Sequence, residues 1–280
     1  MELRTRKQVT VAAIFSLILI VFLGLFYFFF FYQAPVCTDG IQNGREEGID
    51  CGGTCTNACI EKVTGAPFVI EEVAVMPGGT DKYDVLGRIH NPNDTEGASS
   101  FEYSLVLKDA TGKELTTKKG TSYILPQEHK TLIEVGLESA TVPATATLTI
   151  GSITWERFSG YQEKPNINIY QKRYNQVAGG VGFGEAFGLV SNESPFDFRS
   201  LTVKVILRDR EGKPLAVNST EMRTVTSGEE RDFRLLWPEQ FPGAVEAVDM
   251  EVDADYYHAE NFMKQYLKGG RFQDVSQGDN

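Results

Sequence analysis

The sequence predicts an all-β protein, two tandem β-sandwich domains behind a single N-terminal transmembrane helix. Three observations carry that reading. Val9–Tyr32 runs twenty-four residues without a formal charge. A short segment at Leu107 returns at Leu207, displaced by one hundred residues. The stretches leading into both copies alternate apolar and polar residues with the period of a strand.

Val9–Tyr32 reads VTVAAIFSLILIVFLGLFYFFFFY. As a helix it rises about 36 Å at ~1.5 Å per residue, enough to cross a hydrocarbon core of roughly 30 Å. Residues 1–8 form a stub carrying Arg4, Arg6 and Lys7 against Glu2, and the next basic residue is Arg45. That bias predicts a single-pass signal-anchor in a cell membrane, amino terminus cytoplasmic and the rest extracellular or periplasmic. Tyr27 and Tyr32 fall where rings meet the headgroups. A cleaved signal peptide is the rival. The apolar run exceeds the usual ~7–15-residue signal core, and Gln33-Ala34-Pro35 offers no small-x-small cleavage site. Val36 before Cys37 also departs from a lipoprotein signal.

The chain holds 27 Lys+Arg against 38 Asp+Glu, a net charge of −11. That excludes a basic nucleic-acid surface and suits a soluble ectodomain. The chain beyond the anchor has room for two domains of about 100 residues each.

Residues 33–63 form a neck that holds all four cysteines, Cys37, Cys51, Cys55 and Cys59. On the oxidising side of a membrane they predict two disulfides, with three possible connectivities. Zinc is the competing reading, since the last three cysteines recur at four-residue spacing. Gly52-Gly53 argues against a helix that would align those thiols. Asp39, Asn43, Glu47 and Asp50 partly match an acidic calcium loop, so calcium is the one cofactor considered. Ile41 occupies a ligand position of that loop and Asp50 stands where a longer Glu belongs, so a polar turn held by disulfides is favoured.

This neck resembles a module of secreted and surface proteins that reads Cys-x-Asp-Gly-x-x-Asn, an acidic patch, then Asp-Cys-Gly-Gly-x-Cys. Cys37, Asp39, Gly40, Asn43, Glu46, Glu47, Asp50, Cys51, Gly52, Gly53, Cys55 and Cys59 carry the match. The resemblance implies an extracellular setting.

Beyond the neck stand two copies of one fold, at 64–158 and 165–258, joined by a short linker at 159–164 that limits their relative motion without freezing it. Leu107-Lys108-Asp109 through Gly112-Lys113 to Leu115 returns as Leu207-Arg208-Asp209 through Gly212-Lys213 to Leu215. Upstream, Phe101, Tyr103, Leu105 and Leu107 alternate with Glu102, Ser104 and Lys108. In the second copy Leu201, Val203, Val205 and Leu207 alternate with Thr202, Lys204 and Arg208. One set should face a core and the other water. Asp-x-x-Gly then makes a hairpin turn. Further strands are expected at 68–75, 83–91, 131–137 and 145–155, and again at 167–174, 183–192, 231–236 and 245–252.

The copies resemble the immunoglobulin/fibronectin-like sandwiches of the late-embryogenesis-abundant type 2 and FxLYD families. Gly87-Arg-Ile-His-Asn91-Pro92-Asn93 is similar to the strand-then-Asn-Pro-Asn signature of the first. Phe187-Gly188-Leu189-Val190-Ser191-Asn192, with Asp209 and Gly212, is similar to the second but lacks its Tyr-Asp half. The resemblance implies packed, non-enzymatic sandwiches.

No catalytic constellation is visible. His90, His129 and His258 stand apart from any nucleophile. Gly179-Gly180-Val181-Gly182-Phe183-Gly184 runs into a strand, whereas a phosphate loop opens a helix. Asp249, Glu251, Asp253 and Asp255 form an acidic ladder, read as a solvated outer face. Trp155 and Trp237 should cap the cores. Asn93, Asn192 and Asn218 begin glycosylation sequons, and the sequon-bearing loops after Asn91 and Asn192 lie at matching strand ends, so they are expected at equivalent corners of the copies. A short helix at 259–268 packs on the second sandwich or on a partner, and 269–280 form a polar tail.

The function expected is therefore non-catalytic binding or structural presentation by a surface protein that is not an enzyme. Its partners would be the lipid bilayer, through Val9–Tyr32, and an envelope or cell-surface protein. The alternative is an accessory subunit of an envelope or secretion assembly. A hydrolase ranks last.

Overall fold

A computed structural model describes residues 2–31, 37–47, 49–53, 55–57, 59, 63–177 and 182–267. Tyr32 and the expected tail at 269–280 lie outside the described residues. The chain divides into two compact units, Met1–Lys62 and Val63–Asn280.

In the first unit, α1 (Glu2–Phe31) is one uninterrupted helix. Its segment Gln8–Phe28, 21 residues, is long and apolar enough to cross a membrane. Ile14, Phe15, Leu19 and Phe22 are all more than half exposed. The four neck cysteines are paired, Cys37 with Cys55 and Cys51 with Cys59. That pairing excludes the zinc reading, because a disulfide sulfur is no longer a thiolate ligand.

The second unit is built from strands. The first copy contains β1 (Val69–Gly79), β2 (Lys82–His90), β3 (Glu96–Lys108), β4 (Glu114–Ile124), β5 (His129–Glu138) and β6 (Thr145–Arg157). The second contains β7 (Ile167–Gln176), β8 (Gly184–Asn192), β9 (Phe198–Arg208), β10 (Pro214–Val225), β11 (Glu230–Trp237) and β12 (Ala247–Ala254). The copies share one topology. Antiparallel sheets β1-β2-β5 and β4-β3-β6 in the first answer to β7-β8-β11 and β10-β9-β12 in the second.

The alternation expected in β3 and β9 sets the cores. Phe101, Leu105 and Leu107 are buried with Leu148 of the neighbouring strand β6 and with Val85 and Ile89 of β2 in the facing sheet. Leu201, Val203, Val205 and Leu207 are buried with Val190, Phe233 and Met250. The repeated turns also coincide. Asp109 Oδ1 accepts from the amides of Thr111 and Lys113, and Asp209 Oδ1 from those of Glu211 and Lys213. Gly112 and Gly212 close them at φ 86° and 80°, a region open to glycine at no steric cost.

A second repeated device stands at the matching strand ends expected before the two sequon-bearing loops. Asn91 and Asn192 are completely buried at the ends of β2 and β8. Asn91 Nδ2 donates to the carbonyls of Glu96 and Leu125 at 2.8 and 2.9 Å. Asn192 Nδ2 donates to those of Phe196 and Thr226 at 2.8 and 3.0 Å. Each carboxamide thus ties two loops to one strand end and leaves no buried amide unpaired.

The two sandwiches do not hang from a loose joint. The outer face of β1-β2-β5 lies against the outer face of β10-β9-β12. Met76, Leu86, Ile206 and Val217 form a buried apolar cluster between them. The sheets therefore stack in four layers. At one end, Tyr123, Leu125 and Phe158 of the first copy pack with the segment after β12, a 3-10 turn (Tyr256–His258) and α2 (Glu260–Tyr266). Phe262 and Met263 of α2 are buried there, so its apolar face is used within the fold. The linker is braced too, since Ser159 donates its amide to the Tyr266 carbonyl at 2.8 Å.

Candidate functional site

The seam between the sandwiches concentrates the buried charge of the molecule. Lys204 lies on the face of β9 opposite Leu201, Val203 and Val205, the face expected to meet water. Its neighbour on that face is instead the first sandwich. Lys204 Nζ donates to the Thr131 carbonyl at 2.6 Å and meets Asp253 Oδ2 at 3.2 Å. Lys130 of β5 pairs with the same carboxylate oxygen, its side chain only 2% exposed. Lys130 Nζ also sits 3.8 Å from the centroid of the Tyr123 ring, a cation–π contact removed from water. Burial pushes the Asp253 carboxyl up, but the ammonium groups of Lys130, Lys204 and Lys164 outweigh it and hold it well below the usual carboxylate range.

The acidic ladder is the other half of this seam, a correction to its reading as a solvated face. Asp253 is buried between two lysines. Asp249 accepts from Arg208 Nε at 2.6 Å, and Glu251 lies 3.4 Å from Arg88. Asp255 accepts from the Arg199 amide at 3.1 Å, and its own amide donates to the Ser200 carbonyl at 3.2 Å. Arg208 also reaches across, with Nη1 and Nη2 donating to the two oxygens of Glu72 on β1 at 2.8 and 2.9 Å. A bidentate pair of this kind fixes orientation as well as distance.

A cavity of about 400 Å³ opens at the edge of the seam. Arg88, His129 and Lys130 line it from the first sandwich, Lys172, Lys204 and Asp253 from the second. Lys164, from the linker, pairs with Glu128 Oε1 at 2.7 Å on its wall.

The remaining expected site residues fall elsewhere. In the neck, Asp50 accepts from the amides of Asp39 and Gly40 at 2.8 and 2.9 Å, and Asp39 accepts from Asn43 Nδ2 at 2.8 Å. These oxygens hold the turn together, and Asp39, Glu47 and Asp50 are not gathered into one three-ligand group among the described residues. Cys37, Cys55 and Glu46 do lie close together, but both sulfurs are in a disulfide. Gly184 opens β8, as expected of a strand, while residues 178–181 lie outside the described residues. His90 and His129 stack with centroids 4.2 Å apart, and His129 Nδ1 lies 2.9 Å from Glu71. Trp237 is buried and Trp155 packs edge-on to Phe68 at 5.3 Å.

The two sequon-bearing loops follow equivalent strand ends, β2 and β8, but their acceptor asparagines are offset by two residues. Asn91, not Asn93, is the counterpart of Asn192. Asn192 has no exposed surface, which removes it as a glycan acceptor in the folded protein. Asn93 Nδ2 donates to the carbonyl of Ala66 and to Asn91 Oδ1 at 2.9 and 2.7 Å. Asn218 Nδ2 donates to the Leu236 carbonyl at 2.9 Å.

No family model matches the sequence, and no curated protein matches it. Among solved structures the chain is similar to red sea bream transglutaminase, at 12% identity over 69% of this chain, with a TM-score of 0.22. The match spans 29% of the transglutaminase. It is also similar to the calcium-binding domain CBD12 of CALX1.1, at 12% identity over 59% of this chain and 75% of that one, with a TM-score of 0.18. Likenesses at these scores carry no argument about this chain.

Proposed function

We propose that the chain is a single-pass surface protein whose function is non-catalytic binding or presentation by a rigid pair of sandwiches. The observation that carries this reading is the seam. Two domains locked by Arg208–Glu72 and by Lys130–Asp253–Lys204 hold their loops in a fixed relation, which suits a surface that must meet a partner in one geometry. The apolar α1 supports an anchor, the Arg4, Arg6 and Lys7 cluster supports a cytoplasmic amino terminus, and two disulfides support an oxidising compartment outside. The resemblance to the late-embryogenesis-abundant type 2 and FxLYD sandwiches supports a role without catalysis. Calcium has no support beyond the sequence pattern of the neck.

The accessory-subunit reading would contact partners through the span and through α2, and only the second of these is affected by the packing. The burial of Phe262 and Met263 takes the apolar face of α2 out of such a contact and leaves the span.

Protease added to intact cells tests the topology, and crosslinking with identification of neighbours tests the role. Degradation of everything beyond about Pro35, together with a reproducible surface neighbour, is the expected result. Sandwiches protected until the cells are lysed would contradict it.

A further inference from the structure

We infer that the cavity at the edge of the seam is a binding site for a small organic oxyanion, a carboxylate or phosphate carried on a compact polar body. The inference deepens the binding role proposed above by naming a ligand class.

Charge is the first argument. The protein as a whole carries a net −11. Yet the cavity is lined by five Lys and Arg residues, at 88, 130, 164, 172 and 204, against three acids, at 128, 251 and 253. Lys130, Lys164 and Lys204 share only the carboxylates of Asp253 and Glu128. Lys172 has no ion-pair partner among the described residues. A local cationic surplus on an acidic protein runs against the general charge of its surface. Walled by low-dielectric protein, it focuses field on whatever enters.

Architecture is the second. Lys130 and Lys204 are buried, and their positions are fixed by Asp253 and by the Thr131 carbonyl, so the cationic floor is preorganised. Preorganised donors lose little entropy when an anion arrives. Lys172 adds an exposed cation from the edge strand β7, and Arg88 lines the cavity while paired with Glu71 and Glu251 at 3.6 and 3.4 Å. Ile167, Ile169 and Val252 add apolar wall. At about 400 Å³ the space falls in the range of small-molecule sites, and it needs both sandwiches to exist.

The test uses the full chain in an uncharged detergent, titrated with inorganic phosphate and separately with glucuronate, and followed by calorimetry and by NMR. Saturable binding of at least one probe is expected, weakening as salt is raised. Lys172→Gln should raise the Kd about tenfold and Lys172→Glu should abolish binding, because each alters an unpaired cation on an exposed edge. Lys213→Gln, on the Asp209 turn, should leave binding unchanged. Thermal melts of all three variants should match the parent, which separates lost binding from lost fold. No saturable binding of either probe, or binding indifferent to both Lys172 variants, overturns the inference. Such a result would leave the proposed surface role standing, since that rests on topology and neighbours in cells.

Discussion

Lys204 of the second sandwich donates its ammonium to the Thr131 carbonyl of the first at 2.6 Å. A residue on the outer face of one domain is thereby an inner residue of the pair. Replacing Lys204 with Ala removes this bond and leaves Asp253 with Lys130 alone. The expected cost is about 2–4 kcal/mol by denaturant unfolding. Ser104, its counterpart on β3, lines a groove with residues of β3, β4 and β6 alone among the described residues, and Ser104→Ala should cost within about 0.5 kcal/mol.

The inward register is tested separately. Leu105 and Val205 are completely buried in the two cores. Truncation to Ala should cost about 2–4 kcal/mol at either site, with the larger loss at Leu105, where more side chain is removed. If the polar neighbours proved more damaging in both copies, the strand register would be off by one residue.

Asp253 should set part of the acid sensitivity. Its folded pKa lies below the ordinary carboxylate value of 3.8, so its stabilisation is fully present above that value. It is lost as pH falls through the lower folded value. Asp253→Asn leaves Lys130 and Lys204 facing each other without an anion and should destabilise by about 3–5 kcal/mol at pH 7. The gap between variant and parent should narrow as the pH drops below about 4. Melting curves across pH check this, and a gap independent of pH would remove Asp253 from its assigned role.

Asn91 and Asn192 should behave as a matched pair. Changing either to Ala strips two backbone carbonyls of their donor in a buried setting and should cost about 2–4 kcal/mol. Changing Asn93, at the rim, should cost less. Glycopeptide mapping in a glycosylating host should find Asn192 unmodified.

Much of this is legible in the residues. Alternation in β3 and β9 marks the cores, and the repeated Asp-x-x-Gly turn marks the duplication. β4 and β10 do not stand out, because ELTTKKGTSYI and PLAVNSTEMRTV lack a clear period of two. The seam is hidden for a different reason. Lysine, arginine and aspartate on an outward face read as solvated, and only tertiary contact shows otherwise. One signal stands in the sequence, namely Ile206, an apolar residue among the outward set Thr202, Lys204 and Arg208. It marks the place where that face is covered, by Met76 and Leu86 of the first sandwich. The buried amides are hidden because an Asn at a strand end reads as a turn residue.

With their outer faces joined through the seam, the two sandwiches form one mechanical body. Differential scanning calorimetry of the full chain in mild detergent tests this most directly. A single cooperative transition, with calorimetric and van't Hoff enthalpies equal, is the expected result, and Asp253→Asn should lower that transition as a whole. Two separable transitions in the parent protein, one for each sandwich, would contradict the account.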